Sequence, residues 1–296
     1  MTDRPTTTSL PGAPGSRAFR WPGDRRIAAI VNIAYEAWGD GRAPGIGPMG
    51  NPLPSGAFDT NSRSWGDYGG DHGIHRLLRI LAGAQVRGSV MVSGILADRF
   101  PANVQAIADG GHEIIAHSYS QDLVPASLTE SEEKANKANI EKTTLALERA
   151  TGLRPFGWAS PRSTPGLHTI QGLAEAGYRW HSDAMDADLP YEQTFGDSSI
   201  VAIPFGMDIN DLPHAMRFGR TPRQYIEMFD DLLEYMSHAS DEPLIIDVTA
   251  HAHNYGRPGG AWAYQNVVSK LAERSDIWLA TRAEITGHYQ EWTRAQ

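Results

Sequence analysis

Short apolar runs of strand length recur along the chain, and most of them are followed by a stretch with helical periodicity. Such runs are typical of strands buried on both faces, as in a parallel sheet covered by helices. The sequence therefore predicts an α/β protein whose parallel strands form either a barrel or a doubly wound sheet. No Gly-x-Gly-x-x-Gly follows the first run, so a dinucleotide-binding fold has no support. The predicted strands are residues 27–34, 88–93, 113–116, 156–159, 178–182, 200–204, 244–250 and 277–280.

Several predicted helices carry recognisable start signals. Ser127 with Glu130, and Thr281 with Glu284, have the spacing of a capping box, in which each side chain bonds to the other residue's backbone N–H. Pro222 stands at a first helical position, where its missing N–H costs nothing. Further helices are predicted at residues 71–84, 96–109, 165–176 and 264–275.

The N-terminal residues 1–20 are rich in Thr, Pro, Ser and Gly, a composition that buries too little apolar surface to order itself. We expect a flexible arm or subunit strap there, followed by a single domain over residues 21–296. Two long irregular segments, residues 36–70 and residues 186–219 around one strand, lie inside that domain. Segments of this length in a compact domain are usually functional, so we expect them to form walls of a site.

Charge and composition exclude several classes of protein. A formal net charge of -9 and a pI near 5.6 oppose binding to a phosphate backbone, so no nucleic acid partner is expected. No apolar stretch reaches the ~18 residues of a membrane span and no secretory signal is recognisable, so we expect no membrane partner and a cytoplasmic location. The chain has no cysteine, which excludes disulfides, thiolate metal sites and a cysteine nucleophile.

Chemically active side chains follow the predicted strands, where parallel strands present a common edge. Taken singly, each has an ordinary explanation, because a histidine there is usually structural, an Asp often caps a helix, and an Arg or Trp often covers apolar surface. Their joint position at one edge favours a catalytic site. The residues are Glu36, His117, Trp158, Arg162, Asp183, Asp208, His251 and His253.

A family likeness is carried by successive blocks of the chain, which read WPGDRRIAAIVNIAYE, GDYGGDHGIHRLLRIL, GHEIIAHSYS, TGLRPFGWASPRSTPG, YRWHSDAMDADLPY, IPFGMDINDLPHAMRFG and HAHNYGRPGG. In these blocks the chain resembles the polysaccharide deacetylase superfamily and, within it, the branch of allantoinase-like and cyclic imide hydrolase proteins. The resemblance extends from Trp21 to Trp292. It implies a distorted (β/α) barrel of seven or eight parallel strands, a hydrolase of carbon–nitrogen bonds other than peptide bonds, and a homotetramer.

The chain departs from the family at the metal ligands. The metal-dependent deacetylases resembled here use an Asp and two His ligands, but the second acidic position is Ala37 and the second histidine position is Gln121. Alanine cannot coordinate a metal and a neutral amide is a poor zinc ligand, so no cofactor is expected at that place. A remade zinc site is a second possibility, and its ligands would come from Glu36, His117, His251 and His253.

Amide hydrolysis without a metal needs a base for water, donors for the oxyanion and an acid for the leaving nitrogen. By position in the family motifs, Glu36 is the expected base and His251 the expected acid, while His117 supplies a proton or polarises the carbonyl. The expected substrate-binding residues are Trp38, Trp65 and Trp158 as flat walls, Arg162 or Arg257 for a carboxylate or ureido oxygen, and Asp183 and Asp208.

Three functions are compatible with these residues. The first is a hydrolase of a small cyclic amide, imide or ureide, because an active site without a Lewis acid requires a reactive amide. The second is a metal-dependent N-deacetylase with altered ligands. The third is a small-molecule-binding protein that has lost catalysis. The change at Ala37 also removes the acidic pair of the allantoinase-like branch, which counts against allantoin itself.

Overall fold

The computed structural model describes residues 6–8, 19–40, 42, 53–54, 57–127, 133–238 and 242–296. A single sheet of eleven described strands forms its centre. The strands are β1 Thr6–Thr8, β2 Ile27–Tyr35, β3 Ser89–Val92, β4 Glu113–Ala116, β5 Gly157–Trp158, β6 Trp180–His181, β7 Tyr191–Phe195, β8 Ser198–Ala202, β9 Ile209–Asn210, β10 Leu244–His251 and β11 Ile277–Leu279. Neighbours follow the order β1-β7-β8-β6-β5-β4-β3-β2-β10-β9, and β11 also pairs with β2.

The predicted α/β class is confirmed, and each of the eight predicted strand regions contains a strand. All pairs are parallel except β7 with β8 and β1 with β7. The sheet is not closed between β8 and β9. The chain crosses this opening as an irregular segment, in which the Phe205 N–H donates to the Ala184 carbonyl at 2.9 Å and the Gly206 N–H donates to the Asp247 carboxylate at 2.8 Å. The architecture is a distorted, open barrel.

The segment 186–219, predicted to be irregular around one strand, also contains β7 and β9. Strand β7 forms a hairpin with β8 through the two residues Gly196 and Asp197, and Gly196 has a φ of 59°. A two-residue turn that begins with a left-handed glycine is a hairpin signal, and the sequence analysis overlooked it. Strand β9 has only two residues, too few to give an apolar period.

Helices follow most of the parallel strands. They are α1 Thr60–Tyr68, α2 Ile74–Ala84, α3 Gly94–Arg99, α4 Pro101–Asp109, α5 Glu133–Thr151, α6 Thr169–Glu175, α7 Pro222–His238, α8 Pro258–Ala272 and α9 Arg282–Arg294. The capping box of Thr281 and Glu284 and the first-turn position of Pro222 are confirmed. None of the helices in the described part of the chain is long and apolar enough to span a membrane.

Four helix predictions need correction. The helix predicted at 96–109 is two helices, α3 and α4, because Pro101 has no N–H to continue the first. Helix α6 begins later than predicted and α8 begins earlier, at Pro258. Helix α1 lies within the segment predicted to be irregular, and the side chain of Asp59 caps its start. The capping box of Ser127 and Glu130, and residues 1–5 and 9–18 of the predicted arm, lie outside the described residues.

Alternate residues of the central strands face opposite sides of the sheet, as the strand period of two requires. In β2, Ala29, Val31 and Ile33 join the core beneath helices α2 to α8, while Ala28 and Ile30 join a second core with Trp21 and α9. In β10, Ile246, Val248 and Ala250 face the first core, and Ile245 the second. Every second residue of β2 and β10 therefore faces the second core. This series continues to Glu36 directly after β2 and to His251 at the end of β10.

Candidate active site

The strand period brings three ionisable side chains together at the carboxyl ends of adjacent strands. Glu36 follows β2, His117 follows β4, and His251 ends β10. The His117 side chain lies beside Glu36, with its Nε2 3.1 Å from the Glu36 Oε1, and the Nε2 of His251 is 3.8 Å from the same oxygen. The predicted convergence of an acid and two histidines is therefore present. It follows from the register of β4, β3, β2 and β10.

Glu36 is the centre of this cluster. Its side chain is buried, and its second oxygen, Oε2, is 3.9 Å from the Nε2 of His253. Burial acts to raise the pKa of Glu36, but the charge of His251 and the hydrogen bond with His117 outweigh it and lower the pKa to about 2. Glu36 is therefore an ionised carboxylate in neutral solution, ready to accept a proton.

His117 is held at both ring nitrogens. Its Nδ1 lies 2.6 Å from the carbonyl oxygen of Ala159, which can only accept, so Nδ1 carries a proton. Its Nε2 faces the Glu36 carboxylate at 3.1 Å. Both contacts are complete hydrogen bonds only when the ring carries two protons. His117 therefore fixes Glu36 and presents a cationic donor beside it.

His251 is oriented by Asp211, a residue that the sequence analysis did not select. The buried Asp211 carboxylate lies 2.6 Å from the His251 Nδ1 and accepts the backbone N–H groups of His251 and Tyr255 at 3.0 and 3.1 Å. It also accepts from the Asn254 side chain at 3.1 Å. Burial lowers the pKa of His251, but the charges of Asp211 and Glu36 outweigh it and raise the pKa above its usual value. The Nε2 proton of His251 therefore faces Glu36.

His253 occupies an aromatic cage behind the carboxylate. Its ring centroid is 4.4 Å from that of Trp65 and 5.3 Å from that of Trp38, both in edge contacts. It is fully buried, and neither ring nitrogen has a hydrogen-bond partner. Burial lowers the pKa of His253 to about 4, so this imidazole is neutral. Trp38 and Trp65, both predicted as walls of the site, thus contact His253, and His253 in turn lies beside the Glu36 carboxylate.

Two other predicted residues support the site rather than face it. Arg257 stacks on the Tyr68 ring, with its guanidinium carbon 4.0 Å from the ring centroid, and its Nε donates to the His253 carbonyl at 3.2 Å. Asp183 accepts from the backbone N–H and hydroxyl of Ser160 at 2.6 and 2.7 Å. Burial raises the pKa of Asp183. Both residues hold loops that carry neighbouring groups, which is a different task from the predicted substrate contact.

The other three predicted substrate-binding residues differ in their surroundings. Trp158 is fully buried in the core beneath the helices and packs edge-on against Tyr178, so it presents no surface to a ligand. Arg162 is exposed, in a left-handed turn with a φ of 59°. Asp208 is exposed and borders a separate cavity of about 370 Å³, lined in part by Met207 and Tyr235. Trp158 therefore needs correction as a wall of the site, while substrate contact by Arg162 and Asp208 stays a prediction.

The residues at the family's metal positions do not fit a metal. Ala37 has no donor atom, and the Gln121 Nε2 donates to the Ser93 hydroxyl at 3.0 Å and to the His117 carbonyl at 3.1 Å. Within the described ranges, no group of three His, Cys, Asp or Glu residues is arranged to hold an ion. The ring nitrogens of His117 and the Nδ1 of His251 are engaged by oxygen acceptors instead.

Comparisons with known proteins show which proteins this chain resembles. The family model described as "Polysaccharide deacetylase" matches residues 58–181. The peptidoglycan deacetylase of Helicobacter pylori is 22% identical, over 89% of this chain and 97% of its own. These matches support the predicted similarity of the chain to the polysaccharide deacetylase superfamily. The same matches show the predicted enzyme class, a deacetylase-like hydrolase of carbon–nitrogen bonds other than peptide bonds.

Solved structures reproduce the fold. A Mycobacterium smegmatis protein provisionally named a polysaccharide deacetylase is 28% identical with a TM-score of 0.79, covering 94% of this chain and 95% of its own. The PuuE allantoinase is 23% identical with a TM-score of 0.80, covering 94% of this chain and 95% of its own. Both likenesses span nearly the entire chain, so the distorted barrel predicted from the resemblance is confirmed.

Proposed function

We propose that this protein hydrolyses an amide bond in a small cyclic amide, imide or ureide, with Glu36 as the base that activates water. The observation that carries the proposal is the contact of one ionised carboxylate with His117 and with a His251 that Asp211 orients. This cluster contains a base, a cationic donor and an acid, which are the groups that hydrolysis of an amide needs. The likeness to an allantoinase, an enzyme of a cyclic ureide, supports the same class of substrate.

The proposed reaction begins with a water molecule beside Glu36. The carboxylate removes one proton while the water oxygen bonds to the substrate carbonyl carbon. The negative charge that develops on the carbonyl oxygen is stabilised by the cationic ring of His117. The carbon–nitrogen bond then breaks, and the His251 Nε2 gives its proton to the leaving nitrogen. The products are a carboxylic acid and an amine or amide on the opened ring.

The low pKa of Glu36 limits the range of substrates. A carboxylate with a pKa of about 2 is a weak base, so it adds little driving force to the attack by water. A strained or doubly acylated amide has a more reactive carbonyl and needs less help. Since Ala37 and Gln121 do not provide the metal triad, we favour such rings over an acetylated sugar.

A metal-dependent N-deacetylase is the second candidate, favoured by the match to the family model. The two candidates, and a binding protein without catalysis, differ in turnover. The test is hydrolysis of succinimide, hydantoin, allantoin and N-acetylglucosamine by the protein with and without a chelator. We expect turnover of a cyclic substrate that the chelator leaves unchanged. Loss of activity on chelation, restored by zinc, would favour the deacetylase, and absence of turnover the binding protein.

A matched pair of variants ties any turnover to the site. Glu36→Gln removes the base while keeping the size of the side chain, and should lower kcat by about 10²–10⁴. Glu291→Gln makes the same change at an exposed position of α9 and should have no effect. Equal activity of the two variants would refute Glu36 as the base. Four further features stay predictions: the single domain over residues 21–296, a small-molecule substrate without nucleic acid or membrane partners, a homotetramer and a cytoplasmic location.

A further inference from the structure

Gln121 occupies the place of the missing family histidine and has a defined hydrogen-bonding arrangement. Its side-chain Nε2 donates to the Ser93 hydroxyl at 3.0 Å and to the carbonyl oxygen of His117 at 3.1 Å. A carbonyl oxygen can only accept, so the nitrogen and not the oxygen of the amide must face His117. The two donor hydrogens are therefore used, and the orientation of the amide is fixed.

The oxygen of the same amide is left without a donor. No described residue donates to the Gln121 Oε1, and Gln121 is 6% exposed. The acceptor capacity of this oxygen is therefore unused by the described residues. An acceptor held rigidly by its own amide nitrogen loses little entropy when a ligand binds to it.

Gln121 lies next to residues of the proposed active site. The Gln121 backbone N–H donates to the Ala37 carbonyl at 2.9 Å, and its side chain contacts the residue whose ring holds Glu36. The side chains around the carboxylate are nearly buried, since Glu36 is 8% exposed, Ala37 8%, Gln121 6%, His251 6% and His117 5%. All five lie at the carboxyl ends of β2, β4 and β10.

We propose that the Gln121 Oε1 accepts a hydrogen bond from an N–H group of the substrate, so that the enzyme selects cyclic amides whose ring nitrogen is unsubstituted. This inference rests on the proposed function and names the substrate class more closely. Unsubstituted imides and ureides carry an N–H next to the carbonyl that water attacks. A hydrogen bond from that N–H to Gln121 orients the ring, and the carbonyl beside it can then face Glu36 and His117.

Cyclic amides with a substituted ring nitrogen do not make this hydrogen bond. An N-methyl group in place of the hydrogen cannot donate, and it leaves the nearly buried Gln121 oxygen unpaired. Sites built to bond to an N–H or O–H discriminate against analogues that lack it, because a buried polar group then loses its partner. Gln121 is therefore a specificity-determining residue for the proposed reaction.

The test compares hydrolysis of succinimide with N-methylsuccinimide, and of hydantoin with its N-methylated forms, by the wild-type protein and by Gln121→Met. Methionine is close to glutamine in length but lacks the amide acceptor. We expect the wild type to prefer the N–H substrate, and the ratio of the two kcat/KM values to fall by about three- to tenfold in the variant, the effect of one hydrogen bond. Comparing ratios removes the intrinsic difference in reactivity between the substrates.

Gln171→Met is the matched control, because Gln171 is exposed on α6 and bonds only to Glu175. This control should keep the wild-type ratio. Thermal shift with each substrate pair gives a second readout that does not depend on turnover, and it also reports whether Gln121→Met is folded. If the variant is unfolded, the wild-type preference decides after each kcat/KM is divided by the rate constant of uncatalysed hydrolysis of the same substrate, and equal values for the two substrates overturn the inference.

The results separate this inference from the proposed function. Turnover of both substrates with the same ratio in the wild type and in Gln121→Met overturns the role of Gln121 and leaves the hydrolase intact. Absence of both turnover and thermal shift overturns the two together. Binding of the N–H substrates alone, without hydrolysis, supports the selectivity of Gln121 and contradicts catalysis by Glu36.

Discussion

Replacing Asp211 by asparagine tests whether the buried carboxylate controls the acid of the site. The Asp211 carboxylate has four donors around it, which are the His251 Nδ1 and the N–H groups of His251, Tyr255 and the Asn254 side chain, at 2.6–3.1 Å. Asparagine keeps one oxygen and puts a donor in place of the other. About two hydrogen bonds to a charged acceptor are lost, each worth roughly 1.5–3 kcal/mol.

The expected loss of stability is therefore about 3–6 kcal/mol, a large share of the ~5–15 kcal/mol by which proteins are usually folded. Urea unfolding measures this loss directly. Folded variant protein then shows the effect on catalysis. Since Asp211 and Glu36 raise the pKa of His251, loss of the first charge lowers that pKa. The alkaline limb of the rate should move to lower pH, and kcat should fall by about 10²–10⁴ because the acid is lost.

Asn254→Ala is the matched control. It removes one neutral donor from the same carboxylate, so it should cost about 1 kcal/mol and leave the pH profile in place. The reasoning is refuted if folded Asp211→Asn keeps the wild-type kcat and the wild-type alkaline limb. It is refuted equally if Asn254→Ala shifts that limb as far as Asp211→Asn does.

Three further perturbations have defined outcomes. Because Glu36 has a pKa of about 2 and His251 a raised pKa, kcat/KM should stay level through weakly acidic pH and fall as pH rises past 6.5, and a fall on acidification between pH 6 and 4 would contradict this. Arg282→Met removes the partner of a fully buried carboxylate and should cost about 3–5 kcal/mol in urea unfolding, against at most about 1 kcal/mol for Arg87→Met at an exposed ion pair. His253→Phe removes two unpaired buried nitrogens, so its free energy of unfolding should match or exceed that of the wild type, and a loss above about 2 kcal/mol would show that the ring has a hidden partner.

The sequence predicted those strands and helices whose burial requires a recognisable pattern of apolar residues. Strand β4 was predicted at its observed bounds because residues 113–116 are an apolar run between turn signals. Strand β7 was not predicted, because YEQTF has three consecutive polar residues and lies in a segment without other periodicity. Its pairing with β8 depends on contacts between strands, which local pattern does not report.

The residues of the site, too, could be predicted only where a local sequence pattern marks them. Glu36, His117 and His251 each lie at or directly after the end of a strand and could be recognised from sequence, whereas Asp211 lies in a helical turn directly after β9. Only the pairing of β9 with β10 brings Asp211 beside His251. No local signal in the sequence separates it from Asp208, which is exposed and borders a separate cavity.

Trp158 shows how strand register overrides residue type. In the sheet, Trp158 pairs with Ala116, and both side chains belong to the core beneath the helices. The next residue along each strand, Ala159 and His117, faces the other side, and the Ala159 carbonyl holds the His117 ring. A tryptophan next to a catalytic strand end was therefore assigned to the wrong face, because the choice between two faces depends on a register that sequence does not fix.

Strand register also determines how the proposed catalytic side chains are placed relative to one another. His251 pairs with Ala34, two residues before Glu36, so the two side chains emerge on one face of neighbouring strands. His117 reaches that face through β3, which pairs with both β2 and β4. A slip of one residue in any of these pairings would turn an imidazole or the carboxylate into the apolar core beneath the helices. The burial that fixes the register of these strands therefore also fixes the distance from Glu36 to its two histidines.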